Sequence, residues 1–303
     1  MRVTTSSVSV ITLAVVSGLT AALGIWHVSA HADQARTTIS ALADETHFHG
    51  IAVDRRDPSR IFLATHRGLY TVSLDGTATL ISETRDDFMG FRPHPTDFGT
   101  LYASGHPARG GNLGFLTSRD GGKSWIKLSD GHGGPVDFHQ MDFSKLDPRV
   151  VYGVYRVLQR SEDGGQTWKA VGPPPHGLID LAASSLDTNT LYAATQRGLL
   201  KSRDAGKNWQ PIHAENPATM VTVTPVGDLY AFVAGMGLIH APEKSLQWSV
   251  LHPGFGSQGY MTHFTVQRDD ARRFYAVLLN PDAKRQSVVM SRDGGASWAP
   301  LGR

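Results

Sequence analysis

Short apolar segments alternate with turns rich in Asp, Pro and Gly along most of this chain. One pattern returns six times: a polar turn is followed by an aromatic residue and then by small or β-branched residues, as in DPSRIFLAT, DPRVVYGVY and DTNTLYAAT. The aromatic positions are Phe62, Tyr102, Tyr152, Tyr192, Tyr230 and Tyr275, and the steps between them are 40, 50, 40, 38 and 45 residues. Segments of alternating polarity between these marks, such as residues 68–72 and 198–202, predict further strands.

The repeat length determines the predicted fold. A step of about 40 residues that contains several short strands is typical of one β-propeller blade. Six marks therefore predict an all-β, six-bladed β-propeller over residues 47–303. The alternating segments at 68–72 and 198–202 are interpreted as third strands of their blades.

An octet of the form S-x-D-x-G-x-x-W lies near the end of four of the six repeats. It occupies residues 118–125, 161–168, 202–209 and 291–298. Its Ser and Asp side chains accept hydrogen bonds from nearby backbone N–H groups and so hold a tight turn, while Gly supplies a positive φ. The Trp begins the returning strand, where its ring packs over the hairpin. The first repeat keeps a degenerate copy from Ser73, and the fifth keeps only Trp248.

The octet resembles the Asp-box of BNR-repeat β-propellers, which include sialidases, sortilin-like propellers and photosystem II assembly factors. This resemblance covers residues 47–303 and implies that each octet is a structural hairpin turn between the third and fourth strands, away from the usual site. The residues given this structural role are Asp120, Trp125, Asp163, Trp168, Asp204, Trp209, Asp293 and Trp298. The chain is also similar to exported bacterial Asp-box propellers that carry H-x-H-G and D-F-H motifs, present here at His47 and Asp137.

The N-terminal segment has the pattern of an export signal. Arg2 precedes an apolar run from about Val8 to Trp26, and Ala30-His31-Ala32 forms an A-x-A cleavage pattern. Residues 1–32 are therefore predicted to be a signal peptide, with an uncleaved membrane anchor as the alternative. Both interpretations predict an exported protein that is periplasmic, on the cell surface or secreted. Residues 33–46 are a polar lead-in, for which an extra edge strand is one interpretation.

Composition and charge exclude several classes of function. The chain has no cysteine, which excludes disulfides, thiolate zinc sites, cysteine nucleophiles and a lipoprotein anchor. The net charge of +2, with both signs dispersed, does not favour a nucleic acid or an anionic membrane surface. A membrane contact is thus expected only through an uncleaved N-terminal segment, and a monomer is expected. The 14 histidines are the compositional feature that needs an explanation.

Polar residues are predicted to gather at one end of the central channel, which we call the funnel. The innermost strands of five blades align fifteen and thirteen residues before the aromatic mark. The aligned residues are His47, Asp87, Asp137, Gly177 and Tyr260 at the first position and His49, Met89, His139, Ile179 and Thr262 at the second. Positions two apart on a strand point to the same face. The loops between second and third strands add the ligand-binding candidates His66, Arg67, His106 and Arg109.

Three functions compete for the funnel. His47, His49, Met89 and His139, beside carboxylates, suit a transition metal such as copper or zinc, and the thioether favours copper. Asp87 and Asp137 occupy equivalent places on adjacent blades, where one could act as acid and the other as base or nucleophile of a glycoside hydrolase. The third alternative is a polar lining that contacts a ligand or a protein. Asp180, Gln196, Arg197 and His263 are the candidates from the remaining blades.

We therefore expect an exported binding or assembly module whose funnel holds a metal ion or small ligand, with an envelope protein or a glycan as partner. Glycoside hydrolysis is the alternative. Sialidase activity is not expected, because the F/Y-R-I-P motif of that family is absent; the nearest strings are residues 59–62 and 91–94. The likeness to photosystem II assembly factors implies a binding platform.

Overall fold

Six antiparallel sheets follow one another along the chain and form a closed ring. The computed structural model describes residues 35–302 apart from residue 215, so the predicted signal segment, residues 1–32, lies outside the described residues. One sheet has five strands and the other five have four each. The innermost strand of each sheet contacts the innermost strands of both neighbours, and the first and last sheets also touch. The predicted six-bladed β-propeller is therefore confirmed.

Each blade is one consecutive stretch of the chain. Blades 1 and 2 contain β1 (Arg36–Thr38), α1 (Ile39–Glu45), β2 (Phe48–Val53), β3 (Arg60–Thr65), β4 (Gly68–Ser73), β5 (Thr77–Leu80), β6 (Asp87–Pro93), β7 (Leu101–His106), β8 (Phe115–Ser118) and β9 (Ile126–Ser129). Blades 3 and 4 contain β10 (Gln140–Phe143), β11 (Val151–Tyr155), β12 (Val157–Ser161), β13 (Lys169–Gly172), β14 (Leu178–Ala183), β15 (Leu191–Thr195), β16 (Gly198–Ser202) and β17 (Gln210–Ala214). Blades 5 and 6 contain β18 (Ala218–Val223), β19 (Asp228–Val233), β20 (Gly237–Pro242), β21 (Ser249–His252), a 3-10 turn (Gly256–Gln258), β22 (Tyr260–Val266), β23 (Phe274–Asn280), β24 (Arg285–Ser291) and β25 (Ala299–Pro300).

The hydrophobic core is divided into six clusters, one at each interface between neighbouring blades. The aromatic marks lie on the second strands, and Tyr152, Tyr192 and Tyr275 are fully buried there. The cluster between blades 6 and 1 also includes Leu42 of α1 and Leu301. Apolar packing between blades therefore closes the ring, because each sheet is built from consecutive strands.

The segment before β2 supports this closure. Strand β1 pairs antiparallel with β5 and becomes the outer, fifth strand of blade 1. Helix α1 follows and packs against β24 of blade 6. There the Arg285 guanidinium lies 2.6 Å from the Asp44 carboxylate and donates to the Ser40 carbonyl oxygen at 3.1 Å. Within the described part of the chain, no helix has the length and apolar character needed to cross a membrane.

The four complete octets form one and the same turn between the third and fourth strands. The Ser hydroxyl donates to the Asp carboxylate at 2.8 Å and accepts the N–H of the following Gly at 2.8–2.9 Å. The indole N–H of the Trp donates to the carbonyl of that Gly at 2.9–3.1 Å. Each octet thus forms hydrogen bonds within its own hairpin, between the third and fourth strands, whereas the funnel residues come from the innermost strands and from the loops after the second strands.

The two degenerate octets differ in what they keep. In blade 1, Ser73 still donates to Asp75 at 2.6 Å, although Leu80 replaces the Trp. In blade 5, Glu243 stands at the Asp position but is buried, and its carboxylate accepts the Ser185 N–H at 3.0 Å and the hydroxyls of Ser184 and Ser185. The Glu243 carboxylate of blade 5 therefore forms hydrogen bonds with blade 4 and not with its own turn.

The octet carboxylates predict an acid-sensitive contribution to stability. The hydrogen bond from the Ser297 hydroxyl, followed by that from the Ser297 N–H, lowers the pKa of Asp293 to about 2. A pKa below the unfolded value of about 4 means that the contribution is complete above that pH and is lost as the pH falls toward 2. We expect Asp293→Asn to lower the melting temperature at neutral pH, with a difference from wild type that shrinks at acid pH. Thermal melts across this pH range test it, with the exposed Asp282→Asn as control; a difference independent of pH would contradict it.

Candidate functional site

The channel surface is shaped by irregularities at the same level of the innermost strands. The ladder to the second strand shifts register at Phe48/Gly50, Leu178/Asp180, Ala218/Met220 and Met261/His263, and at Met89/Arg92 in blade 2. A β-bulge leaves one residue unpaired and re-aims its side chain. In blade 2 the bend includes Gly90, whose φ is 56° and where a Cβ would collide with the carbonyl oxygen of Phe138.

Residues at this level of the six blades form a ring that lines a cavity of about 280 Å³ in the channel, and the ring residues of blades 1, 4, 5 and 6 are those that the bulges leave unpaired. One residue comes from each blade: His49, Met89, His139, Ile179, Thr219 and Thr262. Five of these are the residues thirteen before the aromatic mark, and Thr219 supplies the member from blade 5. Because of the bulges, the next residue in blades 4 and 6 also lines the cavity, as Asp180 and His263 do, and Gln140 of blade 3 lines it as well.

The first polar cluster joins blades 1 and 2 at the funnel. His66, from the loop after β3, places Nδ1 2.6 Å from Oδ2 of Asp87 at the start of β6. His49 Nε2 lies 3.8 Å from the other carboxylate oxygen, Oδ1. His49 Nε2 and Asp87 Oδ1 are both buried, and neither has a hydrogen-bond partner among the described residues. The cluster therefore contains two unpaired ligand atoms that face each other.

The second polar cluster joins blades 2 and 3 in the same manner. Nε2 of His106, at the end of β7, lies 2.9 Å from Oδ2 of Asp137, and Nε2 of His139 lies 2.7 Å from the same oxygen. His106 Nδ1 contacts the Gly111 carbonyl oxygen at 2.8 Å, which only accepts and so places a proton on Nδ1. Asp137 is buried, and its Oδ1 has no hydrogen-bond partner.

The two histidines of the cavity ring, His49 and His139, have pKa values shifted in opposite directions by their surroundings. Burial, followed by the neighbouring His66, lowers the pKa of His49 to about 3, so its imidazole is neutral. In the second cluster, the hydrogen bond to Asp137 raises the pKa of His139. One imidazole therefore presents a free lone pair at neutral pH, whereas the other is stabilised in its charged form by a carboxylate.

The floor of the cavity carries a charged network. Arg92 lies 3.6 Å from Asp142 and 3.8 Å from Asp180, and the Asp142 carboxylate also pairs with buried Lys145. Burial raises the pKa of Asp180 to about 6. Burial, followed by the Arg92 charge, lowers the pKa of His263 to about 4. The sequence prediction included neither Arg92 nor Asp142, because it used only the residues fifteen and thirteen before each aromatic mark, and these two stand ten residues before theirs.

The other predicted residues lie nearer the rim. His47 is exposed, and its ring centre is 5.6 Å from that of His66, outside the first cluster. Arg67 lies 3.7 Å from Glu45, and Arg109 is exposed in the loop after β7. Met89 is in the cavity wall. The predicted metal set, His47, His49, Met89 and His139, is thus distributed over two clusters, the wall and the rim.

Asp87 and Asp137 occupy equivalent places but belong to separate clusters. Each carboxylate lies against two imidazoles, an arrangement unlike two carboxyl groups that face one glycosidic bond. The sequence analysis did not pair each Asp with the His of the preceding blade. His66 and His106 both stand four residues after an aromatic mark, so the count shows that they are equivalent but not which Asp each of them contacts.

Comparison with known proteins supports the fold. No protein-family model and no curated protein matches the chain. Similar solved structures include a gluconolactonase from Xanthomonas campestris (TM-score 0.60, 14% identity, 86% of this chain and 90% of that one). A luciferin-regenerating enzyme has a TM-score of 0.59 at 12% identity, over 88% of this chain and 98% of that one. A GH74 enzyme from Niastella koreensis has a TM-score of 0.58 at 17% identity, over 84% of this chain.

The present chain spans 45% of the length of that GH74 enzyme and 46% of a GH74 xyloglucanase from Xanthomonas campestris. At these identities the likeness shows the six-bladed propeller fold alone, and the activities in those names differ from one another. The function therefore has to be inferred from the residues of the funnel.

Proposed function

We propose that this protein is an exported binding module that holds a divalent transition metal ion in its funnel. Export is inferred from the N-terminal pattern, which lies outside the described residues. The metal site is inferred from the first polar cluster, and a partner such as an envelope protein or a glycan would be recognised on the surrounding loops. The Asp-box resemblance of the octets supports a structural scaffold behind this site.

The single observation that carries the proposal is the pair formed by His49 Nε2 and Asp87 Oδ1. Both atoms are buried, neither has a hydrogen-bond partner, and they lie 3.8 Å apart. Ligand bonds of about 2.0–2.2 Å place two ligands of one tetrahedral ion roughly 3.5 Å apart. A buried polar atom without a partner is costly, and a metal ion between the two would satisfy both.

His66 completes a set of three ligands. One ring nitrogen of His66, one of His49 and a carboxylate oxygen of Asp87 all lie within 4.8 Å of one another. Two imidazoles and a carboxylate suit zinc or copper, and the Met89 thioether in the cavity wall would favour copper if it joined the set. The residues available therefore fit a borderline transition metal better than calcium or magnesium, which prefer oxygen ligands.

The second cluster supplies another ligand set with the same composition. The Gly111 carbonyl fixes the Nδ1 proton of His106 and thereby leaves Nε2 as the nitrogen that can bind a metal. Such an outer hydrogen bond is typical of metal-binding histidines. Both imidazoles make short contacts with Asp137, so a metal ion here would have to replace two hydrogen bonds, whereas in the first cluster it would replace only the one between His66 and Asp87. We therefore expect the first cluster to bind more tightly.

Metal content of the mature domain, expressed without a histidine tag and dialysed against zinc or copper, tests the proposal. We expect at least one equivalent in the wild type and an affinity lower by at least about 100-fold in His49→Ala and Asp87→Asn. The control is His240→Ala, which removes a His–Asp contact of 2.8 Å that has no third ligand nearby. Equal metal content in His49→Ala and wild type, or no bound metal in wild type, would contradict the proposal.

A further inference from the structure

Arg92 has donors that the protein itself does not use. Its Nη1 donates to the Phe91 carbonyl oxygen at 3.1 Å. The nearest carboxylate oxygens, on Asp142 and Asp180, lie 3.6 Å and 3.8 Å from Nε and Nη2, beyond hydrogen-bond distance. A guanidinium has five N–H groups, so four of them, the Nε–H, one on Nη1 and both on Nη2, make no hydrogen bond to an acceptor among the described residues. The side chain is 28% exposed and lines the channel cavity.

The two neighbouring carboxylates have structural partners of their own. Asp142 accepts the Ala183 N–H at 2.8 Å, and Asp180 accepts the Val221 N–H at 3.0 Å. Each of these bonds joins the innermost strand of one blade to that of the next. Backbone donors therefore hold both carboxylates in place, and Arg92 stabilises their charge from beyond hydrogen-bond distance, so its N–H groups remain available to hydrogen-bond a ligand.

The walls above Arg92 offer acceptors and apolar surface. The Thr219 hydroxyl donates to the Met261 carbonyl at 2.6 Å, and the Thr262 hydroxyl donates to the Val277 carbonyl at 3.4 Å. Since both hydroxyl protons are engaged, the two oxygens act toward the cavity as acceptors. Met89 and Ile179 provide the apolar part of the wall. The cavity therefore combines a cationic floor with acceptors for hydroxyl groups.

We propose that this cavity binds a small hydroxycarboxylic acid, with its carboxylate on the Arg92 guanidinium and its hydroxyl groups donating to Thr219 and Thr262. The planar guanidinium suits a carboxylate through two parallel hydrogen bonds. A phosphate dianion suits the site less, because its second charge would be repelled by Asp142 and Asp180. A volume of about 280 Å³ limits the ligand to a small molecule. The inference deepens the proposed binding function, and it does not require the metal ion.

Calorimetric titration of the mature domain in the presence of a chelator tests this inference separately from the metal site. The probes are glycolate, glycerate and glucuronate, each compared with its neutral counterpart: ethylene glycol, glycerol and glucose. Glucose 6-phosphate distinguishes a phosphate from a carboxylate. We expect at least one acid to bind at least about tenfold more tightly than its counterpart and than the phosphate.

Two variants assign the effect to the cavity. Arg92→Gln should remove the preference for the acid, whereas Arg149→Gln, which removes an exposed guanidinium outside the channel, should retain it. Thr219→Val removes a hydrogen-bond acceptor from the cavity wall and should weaken the binding of the acid while leaving the folded state intact. It therefore still tests the site if Arg92→Gln does not fold. Acids and counterparts that bind alike, a preference for the phosphate, a preference for the acid retained in Arg92→Gln, or an acid affinity unchanged in Thr219→Val would overturn the inference. Loss of metal binding with a retained acid preference would contradict only the metal site.

Discussion

Trp168→Ala is expected to lower the free energy of unfolding by about 3–5 kcal/mol, as for other large-to-small substitutions of buried aromatic residues. Trp168 is 8% exposed, and its ring centre lies 4.8 Å from that of Phe138 and 5.3 Å from that of Phe115. Its indole N–H donates to the Gly165 carbonyl and to the Ser129 hydroxyl, both at 3.0 Å. Because Phe115 and Ser129 belong to blade 2, the substitution would open an interface between two blades.

Equilibrium unfolding in urea measures this change, and Trp125→Ala is the matched control. Trp125 stands at the same octet position in blade 2, is only half-buried, and donates to Gly122 of its own turn at 3.1 Å. We expect its substitution to cost about 1–2 kcal/mol, within the usual range for single substitutions. Equal losses in the two variants would show that the contacts of Trp168 with blade 2 add nothing to the octet itself.

Gln286→Ala is expected to lower the free energy of unfolding by about 2–5 kcal/mol, because it leaves two buried backbone groups without partners. Gln286 is buried in β24 of blade 6, where its Oε1 accepts the Phe48 N–H at 2.6 Å and its Nε2 donates to the Phe48 carbonyl at 3.2 Å. Phe48 begins β2, the innermost strand of blade 1. One side chain therefore joins the first and last blades of the ring.

Gln159→Ala is the control that distinguishes the effect of opening the ring from the effect of losing a buried side-chain amide. Gln159 is buried and makes the same pair of hydrogen bonds, at 2.8 Å and 3.2 Å, to the backbone of His132. Its partner is close in sequence, so this pair does not close the ring. Hydrogen exchange should show faster exchange of β2 and α1 amides in Gln286→Ala but not in Gln159→Ala. Unchanged protection of β2 in Gln286→Ala would contradict a role in closure.

The position of Gln286 also connects stability with the proposed metal site. Phe48 immediately precedes His49, which is the residue that the β-bulge leaves without a partner in β3. The amide of Gln286 holds the backbone of Phe48, one residue before His49. The contact that joins blades 6 and 1 therefore lies next to the proposed metal site.

The sequence by itself determined the blades, their octet turns and most of the cavity ring. These features depend on residues close together in the chain, and six repeats allow each position to be checked against the others. The aromatic marks lie on the second strands, and the residues thirteen before them line the cavity because an antiparallel pair relates positions at short, regular distances. In blade 5 the residue that lines the cavity, Thr219, is not thirteen residues before the aromatic mark, because a shorter turn reduces the distance between the first strand and Tyr230.

Only the tertiary structure decided which polar groups meet. His66 contacts Asp87 and His106 contacts Asp137 across blade boundaries, and the angle between neighbouring blades sets these distances. The bulges, which expose two successive residues such as Ile179 and Asp180 to the channel, depend on pairing with the second strand and leave no mark in the polarity pattern. The unused donors of Arg92 follow from the positions of strands in three blades, so their availability is a property of the closed ring and not of any single repeat.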